Sequence, residues 1–208
     1  MVRSAEATLR QQKRAERRRE QVINAARVCV RSGGFHAASM SQIAAEAGMS
    51  VGHIYQYFDN KDAIIRELSQ SDFDEFMLRI TELNLASSYT IDDVVSTMVS
   101  KAAWLLDIDR AAISREVFAE APRNPRVAEI LKHFNSRFRE IVRAIVGPLL
   151  KDLAPSDVDM RIEMMLVLTQ ALPLHAGMHP SGNDEILIAG YEYSLRSLLR
   201  KPLRIVKV

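Results

Sequence analysis

Residues 39–61 read SMSQIAAEAGMSVGHIYQYFDNK, and this stretch decides the fold. Ser39 and Gln42 stand at capping-box spacing, so a helix is expected to begin there. Ala44 is small and lets another helix approach closely. Gly48, four residues on, suits the left-handed backbone that ends a helix and turns the chain. Ser50 is a second N-cap. Ile54 and Phe58, four apart, share an inward face, while Gly52, His53 and Gln56 lie on the opposite side, flanked by Tyr55 and Tyr57. The Ala-x3-Gly-x5-Ile spacing predicts a helix-turn-helix over about residues 39–58. In that unit the second helix enters the major groove of DNA, its N-terminal residues nearest the base edges. A generic helical hairpin shares single features of this pattern. Two caps, a turn glycine, an inward pair and a polar outer face coincide here, and that favours DNA binding.

Outward from the motif, helical periodicity continues and strand patterning is nearly absent, so the chain is predicted to be all-α. Upstream, Val22, Ile23, Ala26 and Val30 recur at helical spacing until Gly33-Gly34 stops the helix. Short helices are expected at 40–47 and 51–57, then longer ones at 61–85, at 90–108 with Thr90 as cap, and at 110–121. Three more are expected at 126–151, 156–179 and 184–201, about nine helices in all. Pro122-Arg123-Asn124-Pro125 and Pro180-Ser181-Gly182-Asn183 are the breakers between them.

The stretch SMSQIAAEAGMSVGHIYQYFDNKDAII, with RSGGFHAAS before it, resembles the N-terminal pattern of the TetR family of transcription regulators. The specific resemblance covers about residues 15–65; beyond them only length and helix succession agree. It implies a three-helix DNA-binding head, expected over 1–62, and a larger helical ligand-binding and dimerisation body over 63–208. It also implies a homodimer built by the last two helices, and release from DNA when a small molecule binds. Carried over residue by residue, it places Ser39, Met40 and Ser41 beside a phosphate and Val51, Gly52 and His53 nearest the bases. Tyr55 and Tyr57 become backbone-phosphate contacts, and Lys61 a phosphate-binding lysine. Ser41 stands where some members have a base-reading arginine. Base reading here therefore falls to Ser41, Gln42 and His53, with apolar contact to thymine methyl groups.

Charge agrees with an anionic partner at one end. The 208 residues carry 28 Lys/Arg and 26 Asp/Glu, a net charge of +2. Residues 1–62 hold ten basic and six acidic side chains, net +4, leaving −2 on the rest. Seven of the basic residues, Arg3, Arg10, Lys13, Arg14, Arg17, Arg18 and Arg19, fall within the first 20. The basic extension, residues 1–18, has three readings: a continuation of the first helix over phosphates, an arm in the minor groove, or a solubilising tail. No apolar run is long enough for a membrane span, and no secretory signal is visible. The single Cys29 excludes an internal disulfide. It is expected to be an inert thiol in a cytoplasmic protein.

The body is less legible. Met98, Trp104, Phe118, Phe134, Phe138, Met164 and Met165 lie on apolar helices, and most are expected to be core. Given the resemblance, Trp104, Phe118, Phe138 and Met164 are the candidate ligand contacts. Glu116, Arg137, Glu163, Gln170 and His175 are candidate polar ones. Pro173 is expected to remove the amide bond to the Thr169 carbonyl and kink its helix. His175 and His179 stand four apart without a third ligand, so no metal is expected, nor any cofactor. On the last helix Ala189 and Gly190 allow close approach, and Ile186, Tyr193 and Leu198 are candidates to pack across a two-fold axis. No phosphate loop, nucleophile elbow or HExxH occurs, so no enzyme is expected. The expected function is a repressor released from a palindromic operator by a small-molecule inducer. The alternative is a DNA-binding structural or adaptor protein without an inducer, and a cavity in the body discriminates between them.

Overall fold

The computed structural model describes residues 2–81, 88–176, 178 and 184–200, with side chains from residue 8 onward. Among these the chain forms nine α-helices, one 3-10 turn and no strand. They divide into two compact units, residues 1–71 and 72–208.

The first unit holds α1 (Val2–Ala37), α2 (Met40–Glu46), α3 (Val51–Ile54) and the opening turns of α4 (Lys61–Thr81). The glycine pair in α1 interrupts it as the sequence predicts. Gly34 sits at φ 77°, a conformation an L side chain resists, and one more turn follows to Ala37. Val22, Ala26, Ile43, Ala44, Ile54, Phe58, Ile64 and Leu68 are all buried. The burial of Ile64, Ile65 and Leu68 continues the motif's apolar pattern into α4. The division between units accordingly falls nine residues beyond the expected boundary at 62.

The second unit holds the rest of α4, then α5 (Ile91–Leu106), α6 (Ile108–Glu120), α7 (Pro125–Val146), α8 (Pro155–His175) and α9 (Asp184–Leu199). Thr90 caps α5 through a reciprocal capping box with Asp93. Asp107 then ends α5 and caps α6, accepting from the amides of Asp109 and Arg110 at 3.1 Å. The expected single helix over 126–151 ends instead at Val146, and Pro148–Leu150 form the 3-10 turn. Gly147 keeps helical backbone, but Pro148 has no amide hydrogen to give the carbonyl four residues earlier, so the α-helical bonding stops there, a signal the periodicity alone did not carry. α8 runs through Pro173 to His175. The loop expected at Pro180-Ser181-Gly182-Asn183 lies outside the described residues, as do His179 and residues 82–87.

The core of this unit runs from Phe76 and Ile80 on α4 through Val95, Ala102, Phe138, Ile145, Ile162 and Met165 to Leu195 and Leu199 on α9. α9 packs on α5 and α8, and α8 also on α6 and α7. Arg161, only 2% exposed, donates from Nη1 to the carbonyls of Leu198 and, at 3.0 Å, Arg200. A buried guanidinium is tolerable there because the carbonyl end of a helix carries partial negative charge.

Candidate nucleic-acid interface and body cavity

The helix-turn-helix is built by local hydrogen bonds. Ser39 Oγ accepts from the Gln42 amide at 3.2 Å, and Gln42 Oε1 accepts from the Ser39 amide at 2.9 Å. Ser39 and Ser41 hydroxyls meet at 3.0 Å. Gln42 therefore uses its carbonyl oxygen in the cap, and its NH2 group is the part left to read a base. At the other end of α2 the amides of Gly48 and Met49 donate back to Ala45 and Ala44 at 3.1 and 2.9 Å. With Gly48 at φ 60°, this is a Schellman turn, which directs the chain into α3. Gln21 on α1 donates from its side chain to the Ala47 carbonyl at 2.6 Å and is itself held by Arg18 at 2.8 Å. Ser50 Oγ accepts from the His53 amide at 3.2 Å and caps α3.

α3 is shorter than the expected 51–57. Regular helix ends at Ile54, and the amides of Gln56 and Tyr57 bond back three residues, to His53 and Ile54. Ile54 and Phe58 are buried, while Gly52, Tyr55 and Gln56 are exposed and Val51, His53 and Tyr57 half-buried. A Cβ placed on Gly52 would meet nothing within 4 Å, and its backbone is not left-handed. Neither packing nor backbone conformation within the unit thus requires glycine there. Tyr55 is 52% exposed and ready for an outside partner. His53 Nε2 lies 3.2 Å from Tyr57 Oη.

Two basic residues have roles within the unit that their sequence positions did not show. Lys61 Nζ donates to the carbonyls of Phe35 and His36 at 2.8 and 3.4 Å and so caps the end of α1. An ammonium has three N–H bonds, so one remains for a phosphate. Arg19 leaves the basic run altogether. Its guanidinium pairs with Glu67 on α4, donates to the Tyr57 carbonyl at 2.7 Å and lies 4.4 Å over the Phe58 ring. It clamps α1 and α4 to the end of the reading segment. The rest of the run is a helical continuation, since α1 is helical from Val2, with Arg10, Lys13, Arg14 and Arg17 exposed. Cys29 is half-buried; burial, then the charge of Glu46, pushes its thiol pKa up, so it is a poor nucleophile.

The second unit contains a small cavity of about 30 Å³, partly open to solvent. Its walls are Asp72, Phe73, Phe76, Trp104, Leu105, Arg110, Ser114, Phe118, Phe134, Thr169, Gln170 and Pro173. Of the four expected contacts, Trp104 and Phe118 line it. Phe138 does not: it is fully buried in the core beside Phe134, their ring centroids 6.3 Å apart. Met164 does not line it either, being 43% exposed on α8. Of the polar candidates only Gln170 lines the cavity. Arg137 pairs with Asp74 at 3.4 Å, Glu163 pairs with Arg139, and Glu116 and His175 lie elsewhere. Periodicity showed which helix faces are inward but not which inward residues border empty space. Among the described residues no cluster of three His, Cys, Asp or Glu could hold a metal, and no helix is long and apolar enough to cross a membrane.

Residues 22–68 match the family model described as bacterial regulatory proteins, tetR family. The chain is 31% identical over 131 residues to the HTH-type transcriptional regulator UidR of Escherichia coli K12, covering 63% of this chain and 65% of UidR. The alignment thus spans just under two thirds of that relative's length. Among solved structures, GusR of Salmonella enterica superposes with a TM-score of 0.73 at 24% identity, covering 88% of this chain and 95% of GusR. A transcriptional regulator from Rhodococcus sp. Rha1 gives 0.72 at 19%, covering 87% and 95%. The fold is shared along nearly all of both, and the segment that matches the family model lies within the first unit. With its capped α2, Schellman turn and α3 all inside it, the matched segment carries a helix-turn-helix, and through residues 22–68 the chain is similar to the tetR family of bacterial regulatory proteins.

Proposed function

We propose that this chain is a cytoplasmic transcription regulator that binds a near-palindromic operator as a homodimer, represses from it and is released by a small molecule. The observation that carries the reading is the outer face of α3. It is flat at Gly52, presents His53 and Tyr55, and stands on a turn fixed by hydrogen bonds from both sides. Ser39, Met40, Ser41, Gln42, Val51, Gly52, His53, Tyr55, Tyr57 and Lys61 are the proposed DNA contacts. The relatives support the class: UidR is named an HTH-type transcriptional regulator, and KstR2 of Rhodococcus jostii, 21% identical over 179 residues, an HTH-type transcriptional repressor.

A dimer is supported by apolar side chains left in the open. Ile186 and Tyr193 on α9 are 64% and 75% exposed, and Met164 and Val167 on α8 are 43% and 53% exposed. Ile186, Gly190 and Tyr193 follow helical spacing, and Gly190 has open space where a Cβ would stand. Leu198 instead packs on the body's own core and is not part of this stripe.

Selection from a randomised duplex pool tests this reading. It is expected to return a near-palindrome bound by two copies, with reading helices about 34–36 Å apart or a further helical turn. An asymmetric site bound at full affinity by one copy overturns the dimer. A small molecule that stabilises the protein yet leaves operator affinity unchanged overturns induction and favours the adaptor reading.

A further inference from the structure

The hydrogen bond between His53 and Tyr57 limits the kind of base edge that His53 can read; this rests on the reading of α3 as a DNA-contacting helix. His53 Nε2 lies 3.2 Å from Tyr57 Oη. Among the described residues the Tyr57 hydroxyl has no other partner. His53 Nδ1 has none either, and it is not closed off from solvent.

In the protein alone this bond can run either way. Tyr57 can give its hydrogen to a bare Nε2, or Nε2–H can donate to Tyr57 Oη. The two arrangements differ in the imidazole tautomer. A DNA backbone removes that freedom. A phosphate oxygen carries no hydrogen and only accepts, whereas a tyrosine hydroxyl has one hydrogen to donate. With that hydrogen on the phosphate, Tyr57 Oη must face the imidazole as an acceptor. Nε2 then holds the ring hydrogen. A neutral imidazole has a single N–H, so Nδ1 is left as a bare acceptor.

In the major groove the donors are amino groups, N6 of adenine and N4 of cytosine, while guanine and thymine offer acceptors. A bare Nδ1 against guanine O6 or thymine O4 would set one lone pair against another. The preceding residues supply no donor in its place, since Gly52 has no side chain and Val51 is apolar. We propose that His53 reads, through Nδ1, a base that presents a major-groove amino group, adenine or cytosine, on the strand it touches. Tyr57 is then a positioning residue that holds the ring hydrogen on Nε2, besides being a phosphate ligand.

Replacing single functional groups in a selected operator tests this with the full chain at about pH 8, where imidazole is ordinarily neutral. The base pair concerned is the one whose preference His53→Ala erases. Purine in place of adenine, or 2-pyrimidinone in place of cytosine, removes the amino group alone. Wild-type affinity is expected to fall at least about threefold, and that of His53→Ala to stay within about twofold. The comparison cancels any change in the duplex itself. Carbon in place of the purine N7 at the same pair should leave wild-type affinity within about twofold. Tyr57→Phe should lose most of the amino-group discrimination, because nothing then holds the hydrogen on Nε2. Nitrogen NMR of the histidine-labelled protein on its operator should show the His53 hydrogen on Nε2 and none on Nδ1. The wild-type base series and this spectrum decide the matter even if a variant fails to fold. Three results overturn the proposal and leave DNA binding standing: no base preference lost in His53→Ala, affinity that falls with N7 and not with the amino group, or a hydrogen on Nδ1 in the complex. A selection that returns no bound duplex overturns both.

Discussion

The His53 imidazole and the Tyr57 hydroxyl share a 3.2 Å hydrogen bond, their rings 5.4 Å apart and tilted by 49°. In the proposed interface His53 stands nearest the bases and Tyr57 at the backbone, so the bond would tie the orientation of a reading group to that of a phosphate ligand. His53→Ala and Tyr57→Phe should therefore weaken operator binding non-additively, with a coupling energy of about 0.5–1 kcal/mol. Tyr57→Phe should also blur preference at the base His53 reads, instead of weakening all sequences alike. A double-mutant cycle measured across an operator panel checks both. Additive losses would show that the two side chains act independently.

Gly52 separates the needs of the fold from those of DNA. Because a Cβ there meets nothing, Gly52→Ala should leave stability unchanged or raise it by up to about 1 kcal/mol, since alanine favours helix. The same methyl group would hold α3 off the groove floor, so operator affinity should fall by about tenfold or more, about 1.4 kcal/mol. Denaturant melts and operator titrations on one preparation measure both. Retained affinity would place Gly52 away from the DNA.

Arg19 and Lys61 should fail in different ways. Arg19→Ala removes a half-exposed ion pair, a backbone hydrogen bond and a ring contact. With the ion pair discounted for solvent screening, about 1–2 kcal/mol of head stability should be lost. The salt slope of the folded variant should remain unchanged. Lys61→Ala removes the α1 cap and, in the proposed interface, a phosphate ligand, so affinity should fall for every sequence and the log–log salt slope should drop by about 0.9. An equal salt slope for wild type and Lys61→Ala would confine the lysine to its capping role.

Removing residues 1–14 takes away Arg3, Arg10, Lys13 and Arg14 against Glu6, a net +3. The exposed, helical placement of Arg10, Lys13 and Arg14 leads to lower affinity and a flatter salt dependence, by about 0.9 for each phosphate no longer neutralised. Unchanged affinity and slope would mark the run as a solubilising extension.

Tyr191 on α9 is fully buried, and burial pushes its hydroxyl pKa well up despite the 2.9 Å hydrogen bond to Thr169 Oγ1, which works the other way. Thr169 Oγ1 also lies 2.7 Å from the Met165 carbonyl and gives it its own hydrogen, so Tyr191 is the donor of the pair. A folded pKa above the unfolded value means the contribution is fully present below about pH 10 and is lost as pH rises beyond it. Tyr191→Phe should cost about 1 kcal/mol near neutrality and reduce the loss of stability above pH 10. Denaturation midpoints at neutral and alkaline pH give the comparison, and equal alkaline slopes would place the sensitivity elsewhere.

Much of this protein is local, and what is local was legible. The caps at Ser39, Ser50 and Thr90, the turn at Gly48, the break at Gly34 and the inward pair Ile54 and Phe58 all depend on residues within about four positions of one another. Hydrogen-bond spacing and helical periodicity act over that same range, so residue order alone determined the all-helical chain and the reading motif. Tertiary structure decided what lies between distant segments. Arg19 became a clamp only through Tyr57 and Glu67, 38 and 48 positions away, and Lys61 a cap through Phe35, 26 away. The cavity draws Asp72, Trp104, Ser114, Phe134 and Thr169 from five helices and excludes Phe138, one turn from Phe134 on the same inward face. Periodicity assigns a side chain to a face, but whether that face meets another side chain or an open space is set by how helices far apart in the chain pack together.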